Sequence, residues 1–202
     1  MSRRTPSRPG DSRSGDERPV TDARQAQSES LESRLRPAIR DVPDYPKAGI
    51  LFKDITPLLA DSELFAAATH AMAEPFARAG VTHVVAIESR GFILGGPVAQ
   101  ELGAGFIPVR KPGKLPAATR REAYALEYGS DALEIHADAF GPDARVLIVD
   151  DVLATGGTAL ATRRLVESLG ARVAGFSFLL ALGFLPGLQR LQGTTELHLI
   201  EF

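Results

Sequence analysis

Short runs of apolar residues alternate with amphipathic segments over most of the chain. Residues 81–87 (VTHVVAI), 106–109 and 145–149 are apolar and contain several β-branched side chains, which predicts buried strands. The same reasoning predicts a longer strand over residues 172–182 and a short edge strand over residues 133–135.

Amphipathic segments lie between the predicted strands and favour helices. In residues 64–76 apolar side chains recur every four positions, Asp61 or Ser62 is suited to cap the N-terminus, and Gly80 ends the segment. The predicted helices cover residues 31–39, 64–76, 92–102 and 158–169. Because strands alternate with helices, we predict an α/β fold, a doubly wound parallel sheet with helices on both faces.

Two segments lack this apolar patterning. Residues 1–30 contain only four aliphatic or thioether side chains, too few to offset the entropy of ordering the backbone. We therefore predict a disordered tail at residues 1–30 and a folded domain at residues 31–202. Residues 110–127 are polar and contain several Pro, Gly, Lys and Arg residues, which predicts a long mobile loop or a hairpin.

Composition and charge exclude several classes of function. With 23 basic and 25 acidic residues the formal net charge is −2, so the chain lacks the cationic surface typical of general nucleic-acid binders. It has no cysteine, which excludes disulfides, thiolate catalysis and zinc–cysteine sites. No apolar run reaches the ~18 residues that a membrane helix needs, and no pair of histidines has metal-ligand spacing. We expect a cytoplasmic protein with no nucleic-acid partner, no membrane partner and no metal site of its own.

The most informative segment, residues 146–158 (VLIVDDVLATGGT), joins an apolar strand to a helix. Asp150 and Asp151 follow the strand, at the edge where ligands bind in open α/β sheets. We name residues 154–158 the ATGGT turn. Its glycines allow a tight turn, and N–H groups at the start of the next helix can bind a phosphate dianion. Because two carboxylates would repel that phosphate, they are expected to bind ribose hydroxyls or hydrated Mg²⁺ instead.

The alternatives to a phosphate site are weaker. An ordinary strand–turn–helix corner would also contain glycines, but paired aspartates followed by Thr-Gly-Gly-Thr favour a functional site. Neither GxxxxGK[ST] nor GxGxxG after a strand occurs, which argues against P-loop and Rossmann dinucleotide chemistry.

The segment VLIVDDVLATGGT resembles the signature of type I phosphoribosyltransferases, which bind 5-phosphoribosyl-1-pyrophosphate. Four further segments resemble the adenine phosphoribosyltransferases: residues 46–57 (PKAGILFKDITP), 87–95 (IESRGFILG), 110–116 (RKPGKLP) and 124–129 (YALEYG). The resemblance covers about four-fifths of the chain, from about residue 35 onwards. It implies the type I phosphoribosyltransferase fold, with a small N-terminal hood and a mobile catalytic loop. It also implies the reaction of adenine with phosphoribosyl pyrophosphate to give AMP and pyrophosphate.

The resemblance implies a role for each segment. It assigns the ribose hydroxyls to Asp150 and Asp151, which would also stabilise positive charge on the sugar, and it makes Glu127 the general acid or base at a purine nitrogen. It assigns the 5'-phosphate to Ala154, Thr155, Gly156, Gly157 and Thr158. It assigns pyrophosphate to Glu88, Ser89, Arg90, Arg110, Lys111 and Lys114, and adenine to Leu51, Phe52, Lys53 and Tyr128. Mg²⁺ would arrive with phosphoribosyl pyrophosphate, and a homodimer is expected.

Two other functions stay open at this point. A phosphoribosyltransferase for another base would share the ATGGT turn, so the assignment to adenine rests on GILFKDI and YALEYG. A regulator that senses phosphoribosyl pyrophosphate without catalysis would be expected to carry an extra domain or a basic face and to lack the catalytic glutamate. Glu127 is present and the net charge is slightly negative, which favours the enzyme.

Overall fold

The computed structural model describes Met1, residues 30–125 and residues 130–202. The predicted disordered tail lies outside the described residues except at Met1 and Ser30, and it stays a prediction. In chain order the strands are β1 (Arg40–Pro43), β2 (Leu51–Asp54), β3 (His83–Ile87), β4 (Gly105–Val109), β5 (Thr119–Ala125), β6 (Ser130–His136), β7 (Arg145–Leu153), β8 (Arg172–Ala181) and β9 (Glu196–Glu201). The α-helices are α1 (Leu31–Leu35), α2 (Thr56–Ala60), α3 (Ser62–Ala73), α4 (Arg90–Glu101), α5 (Gly157–Ser168) and α6 (Gly187–Arg190).

Five strands form a parallel sheet in the spatial order β4–β3–β7–β8–β9. Side chains of the central strand β7 alternate, so Val146 and Ile148 face one side of the sheet and Leu147 and Val149 the other. The first side is covered by α5 and the β5–β6 pair, the second by α1, α3 and α4. Because both sides are buried, residues 146–149 of β7 form a continuous apolar run. The prediction of a parallel sheet with helices on both faces is confirmed.

Two antiparallel strand pairs lie outside the central sheet. β1 and β2 pair with Asp41 opposite Lys53, and we name residues 40–54 the hood. β5 and β6 form the hairpin that was one of the two predictions for residues 110–127. The edge strand predicted over residues 133–135 is confirmed as part of the longer β6, which pairs with β5 and not with the central sheet. The apolar pattern finds β6 but not its partner, whose sequence TRREAYA is mostly polar.

Three helices differ from their predicted bounds. α1 ends at Leu35 and not at residue 39, because it continues as a 3₁₀ turn over Arg36–Ala38 that contains Pro37. α3 ends at Ala73 and continues as a 3₁₀ turn, because Pro75 has no N–H for a helical hydrogen bond. α4 begins two residues before the apolar period that starts at Phe92, since its first two residues, Arg90 and Gly91, carry no apolar signal. Among the described helices, none combines the length and apolarity needed to cross a membrane.

Asp54, the last residue of β2, connects the hood to α2. Its Oδ1 accepts a hydrogen bond from Thr56 N at 2.9 Å, and its Oδ2 accepts one from Arg40 Nε at 3.0 Å. These two partners lower the pKa of Asp54 from 3.8 to about 2. Because the folded-state pKa lies below the unfolded-state value, the carboxylate stabilises the fold above about pH 4 and loses this effect as the pH falls towards about 2.

We therefore expect Asp54→Asn to lower the free energy of unfolding at pH 7, by an amount that shrinks as the pH falls from about 4 to about 3. Urea denaturation of both proteins at several pH values measures this difference. Asp138→Asn changes an exposed carboxylate and is the matched control. A deficit for Asp54→Asn that stays constant with pH would contradict a role for the ionised carboxylate.

Candidate active site

A cavity of about 560 Å³ opens where β3 and β7 end and the hood approaches the central sheet. This is the edge at which ligands bind in open parallel sheets. Its walls come from the hood, from the junction of β3 with α4, and from the end of β7 with the ATGGT turn. The lining residues are Tyr45, Ile50, Leu51, Phe52, Lys53, Ile87, Glu88, Ser89, Arg90, Asp150, Asp151, Val152, Ala154, Thr158 and Leu182.

The structure brings many of the predicted site residues to this cavity. Those that line it are Leu51, Phe52, Lys53, Glu88, Ser89, Arg90, Asp150, Asp151, Ala154 and Thr158. Thr155, Gly156 and Gly157 lie between two lining residues of the ATGGT turn. Within the described part of the chain, the lining does not include Arg110, Lys111 or Lys114. Glu127 and Tyr128 lie outside the described residues, so their roles stay predictions.

The sequence predicts that Asp150 and Asp151 follow the strand, but the structure places both inside β7. The strand continues to Leu153 because its last residues pair with β8. The two aspartates are only 9% and 5% exposed, and Asp150 Oδ1 accepts a hydrogen bond from Asp151 N at 2.9 Å. Two adjacent carboxylates are thus held inside the cavity wall by the backbone of the central sheet.

The surroundings of this pair oppose its ionisation. Burial raises the pKa of both carboxyls, and repulsion from Asp151 raises the pKa of Asp150 further. Arg90 acts in the opposite direction, since its Nε lies 2.6 Å from Asp151 Oδ2. This ion pair is not aligned as a hydrogen bond, and within the described residues Asp151 Oδ2 has no hydrogen-bond partner. A buried carboxylate oxygen without a donor is suited to accept a hydrogen bond from a ligand hydroxyl.

Arg90, the first residue of α4, connects the walls of the cavity. Its guanidinium carbon lies 4.8 Å from the centre of the Phe52 ring in the hood, while its Nε contacts Asp151 in the central sheet. The next residue is Gly91, where a Cβ would lie 2.8 Å from Asp150 Oδ1. The first turn of α4 therefore packs directly against the carboxylate pair. The Glu88–Ser89 peptide bond just before the helix is cis.

The ATGGT turn leads from β7 into α5. Gly156 is the N-cap of α5 and has φ of +78°, in the left-handed region that favours glycine. α5 then runs for 12 residues from Gly157, so its first N–H groups have no acceptor within the helix and point out of its N-terminus. Together with the helix dipole, these N–H groups give the turn the geometry of an anion-binding site.

Carboxylates beside the cavity bind all three cations of the Arg110–Lys114 segment. Arg110 Nε and Lys114 Nζ lie 2.8 and 2.7 Å from the two carboxylate oxygens of Glu88. Lys111 Nζ lies 2.9 Å from Asp131 Oδ2. Although burial raises the pKa of Glu88, hydrogen bonds from Lys114 and Arg110 hold it below its usual value. A pyrophosphate bound by these cations would have to share them with carboxylates or displace the carboxylates.

Comparison with known proteins agrees with this geometry. Residues 54–183 match the phosphoribosyl transferase domain family. Over 156 residues, which are 77% of this chain and 88% of the relative, the sequence is 60% identical to the adenine phosphoribosyltransferase of Streptomyces clavuligerus. The chain belongs to the adenine phosphoribosyltransferase family.

Solved structures of adenine phosphoribosyltransferases have the same fold. The protein from Thermoanaerobacter pseudethanolicus is 49% identical, with a TM-score of 0.82 over 86% of this chain and 100% of that chain. The protein from Saccharomyces cerevisiae, in complex with D-2,5-dideoxy-2,5-imino-altritol 1,6-bisphosphate and adenine, is 39% identical, with a TM-score of 0.77 over 84% of this chain and 98% of that chain. The type I phosphoribosyltransferase fold expected from the resemblance is confirmed.

Several residues that organise this adenine phosphoribosyltransferase site are missed by the sequence analysis. Asp131, besides binding Lys111, accepts a hydrogen bond from the Tyr124 hydroxyl at 3.2 Å, and burial together with the Asp131 charge raises the pKa of Tyr124 to about 12. The Lys53 ammonium lies 2.7 Å from Asp41 Oδ1 and 3.8 Å from the centre of the Phe202 ring. No motif contains these pairs, because the two partners of each pair come from different strands or loops that only the fold brings together.

Proposed function

We infer that this member of the adenine phosphoribosyltransferase family transfers the 5-phosphoribosyl group of phosphoribosyl pyrophosphate to adenine, a purine-salvage reaction that gives AMP and pyrophosphate. The observation that carries this function is a single cavity bordered by the hood, the buried Asp150–Asp151 pair and the ATGGT turn. These three parts would bind the base, the ribose and the 5'-phosphate of AMP, respectively.

The reaction is a substitution at the anomeric carbon of the ribose. The C–O bond to pyrophosphate breaks and its electron pair leaves on the pyrophosphate, a C–N bond to adenine forms, and adenine loses a ring proton. Asp150 and Asp151 would accept hydrogen bonds from the ribose hydroxyls and place negative charge beside the developing oxocarbenium. Because both carboxylates are buried, their field is weakly screened, and Arg90 favours the ionised form of Asp151.

The leaving group, pyrophosphate, and the entering group, adenine, would bind on opposite sides of the sugar. For adenine we propose the hood, where backbone groups of Leu51 and Lys53 meet the base edge and Phe52 offers an aromatic face. For pyrophosphate we propose the start of α4 with Ser89 and Arg90, together with the cations now bound to Glu88 and Asp131. Glu127 would accept the adenine proton, a role that rests on the resemblance of YALEYG.

We propose that Mg²⁺ enters with phosphoribosyl pyrophosphate. Within the described residues, no group of three or more His, Cys, Asp or Glu side chains is placed to hold a metal ion. The carboxylate oxygens of Asp150 and Asp151, including Asp151 Oδ2, which accepts no hydrogen bond within the described residues, would suit contact with a hydrated Mg²⁺ brought by the substrate. When bound, Mg²⁺ would neutralise part of the charge on the departing pyrophosphate.

We also propose a homodimer in the cytoplasm. The support for a dimer is an apolar patch on the edge of the sheet, where Ile93 of α4 is 45% exposed and Phe106 of β4 is 39% exposed. Phe92 packs edge-to-face against Phe106 with ring centres 5.9 Å apart and extends the patch. Apolar patches of this kind mark protein–protein contacts. The cytoplasm is proposed because the reactants are phosphate esters, whose charge keeps them from crossing membranes unaided.

Ile93→Glu is expected to convert the dimer into a monomer, because a buried unpaired carboxylate at an interface is strongly unfavourable. Gln192→Glu adds the same charge at an exposed position before β9, the strand at the sheet edge opposite β4, and should leave the dimer intact. Sedimentation velocity over a range of protein concentrations measures the change. If Ile93→Glu sediments like the unchanged protein, the patch is not the dimer interface.

The proposed function is tested by offering adenine, hypoxanthine, guanine and orotate separately, each with phosphoribosyl pyrophosphate and Mg²⁺, and identifying the nucleotide formed. AMP from adenine alone is the expected result. Formation of a nucleotide from another base would be consistent with the proposed phosphoribosyl site but would overturn the assignment of the hood to adenine. Binding of phosphoribosyl pyrophosphate without any product would instead favour a regulator.

A further inference from the structure

The ATGGT turn packs against α6. The contacting residues of α6 lie more than 30 positions in the sequence after the turn residues that they contact. Gly187, the first residue of α6, is buried so tightly that a Cβ there would overlap the carbonyl oxygen of Ala154. A Cβ at Gly156 would lie 3.3 Å from Gly187 Cα. Arg190 Nη1 donates a hydrogen bond to the carbonyl oxygen of Thr155 at 3.1 Å. Three consecutive residues of the turn therefore meet α6.

The hydrogen bond from Arg190 fixes the direction of a peptide group in the turn. The Thr155–Gly156 peptide is trans, and in a trans peptide the C=O and N–H groups point in opposite directions. Because the Thr155 carbonyl points to Arg190, the Gly156 N–H must point away from α6. The N–H groups at the start of α5 would bind the phosphate dianion, and this orientation makes the Gly156 N–H available on the side away from α6.

Arg190 also brings charge to the turn. Its guanidinium is always ionised and lies beside the backbone that would hold a dianion, so it adds positive potential without occupying the cavity. Its own side chain is exposed and does not belong to the hydrophobic core. These features distinguish Arg190 from a residue of the hydrophobic core.

We propose that Arg190 is a positioning residue for the 5'-phosphate, acting through the Thr155 carbonyl, and that Gly187 allows α6 to approach closely enough for this contact. The proposal rests on the proposed function only in taking the ATGGT turn as the site of a sugar phosphate. Arg190 itself does not touch the substrate. Its effect should therefore be confined to ligands with a 5'-phosphate and should not extend to pyrophosphate, which would bind at the start of α4.

The test compares the binding of ribose 5-phosphate and of inorganic pyrophosphate by calorimetry. Arg190→Met is expected to raise the Kd for ribose 5-phosphate about tenfold while the Kd for pyrophosphate changes less than about twofold. Arg190→Lys should restore most of the affinity, since it keeps the charge and an N–H donor. Arg172→Met removes an equal charge from an exposed side chain at the start of β8, the opposite end of the sheet, and should change neither Kd.

Thermal unfolding separates positioning from a general structural effect. Arg190→Met should have the same Tm as the unchanged protein within about 2 °C, because an exposed side chain away from the core contributes little to stability. Equal weakening of both ligands, or an unchanged Kd for ribose 5-phosphate, would overturn the proposal. If the unchanged protein forms no AMP while Arg190→Met still loses ribose 5-phosphate binding selectively, the proposed function is overturned and this proposal stands.

Discussion

Replacing Asp150 and Asp151 together by asparagine is expected to lower kcat for AMP formation by about a thousandfold or more. Asparagine keeps the size of both side chains, so the shape of the cavity is preserved. It removes the buried negative charge that would stabilise the oxocarbenium, and it replaces acceptor oxygens for the ribose hydroxyls with amide groups. Steady-state rates with adenine, phosphoribosyl pyrophosphate and Mg²⁺ measure the loss.

The same double substitution is expected to stabilise the fold at neutral pH. Burial raises the pKa of both carboxyls in the folded state, so each is harder to ionise there than in the unfolded chain. A raised carboxyl pKa makes stability fall as the pH rises from the unfolded-state value through the folded-state value. Removing the two carboxyls should therefore raise Tm at pH 7 and have little effect on Tm near pH 4.

Asp138→Asn with Asp143→Asn is the matched control, since it removes two exposed carboxylates and should change neither kcat nor the pH dependence of Tm. Loss of activity together with a lowered Tm at pH 7 would mean that the aspartates are needed for folding. Turnover close to that of the unchanged protein would contradict their role at the ribose.

Glu127→Gln is expected to slow the chemical step about 100- to 1000-fold, because an amide cannot take the adenine proton. The substitution keeps the length of the side chain, so binding of phosphoribosyl pyrophosphate should change little. Single-turnover experiments with enzyme in excess over adenine isolate this step from product release.

Glu122→Gln is a suitable control for that experiment, since Glu122 precedes Glu127 by five positions in the sequence, lies on β5 and is paired with Arg164 of α5. It should leave the single-turnover rate within about twofold of the original. If Glu127→Gln also reacts at the original rate, the adenine proton is taken by another group, and the role inferred from YALEYG is wrong.

The part of the fold that the sequence predicts is the part built from buried apolar runs. β3, β7 and β8 are covered on both faces, so their side chains carry a strong apolar signal. β1, β2 and β9 are at most 6 residues long and largely half-buried or exposed, so their sequences resemble loops. Their pairing is decided by tertiary contacts, which a local pattern does not contain.

The candidate site likewise contains some residues that the sequence predicts and others that it does not. Residues that touch a common ligand recur in compact motifs, so Asp150, Asp151 and the ATGGT turn can be predicted from one segment of 13 residues, 146–158. Residues that support them act from distant parts of the chain. Asp131 holds Lys111 from the far strand of a hairpin, and Arg190 reaches Thr155 over 35 positions. Only the folded chain brings such pairs together.

The most direct test of the proposed site is a crystal structure of the protein with AMP bound. We expect the adenine against residues 51–53 of the hood, the ribose hydroxyls within hydrogen-bond distance of Asp150 and Asp151, and the 5'-phosphate at the N–H groups of the ATGGT turn. AMP bound with the phosphate at the start of α4, or outside the cavity between the hood and β7, would contradict the assignment of all three parts.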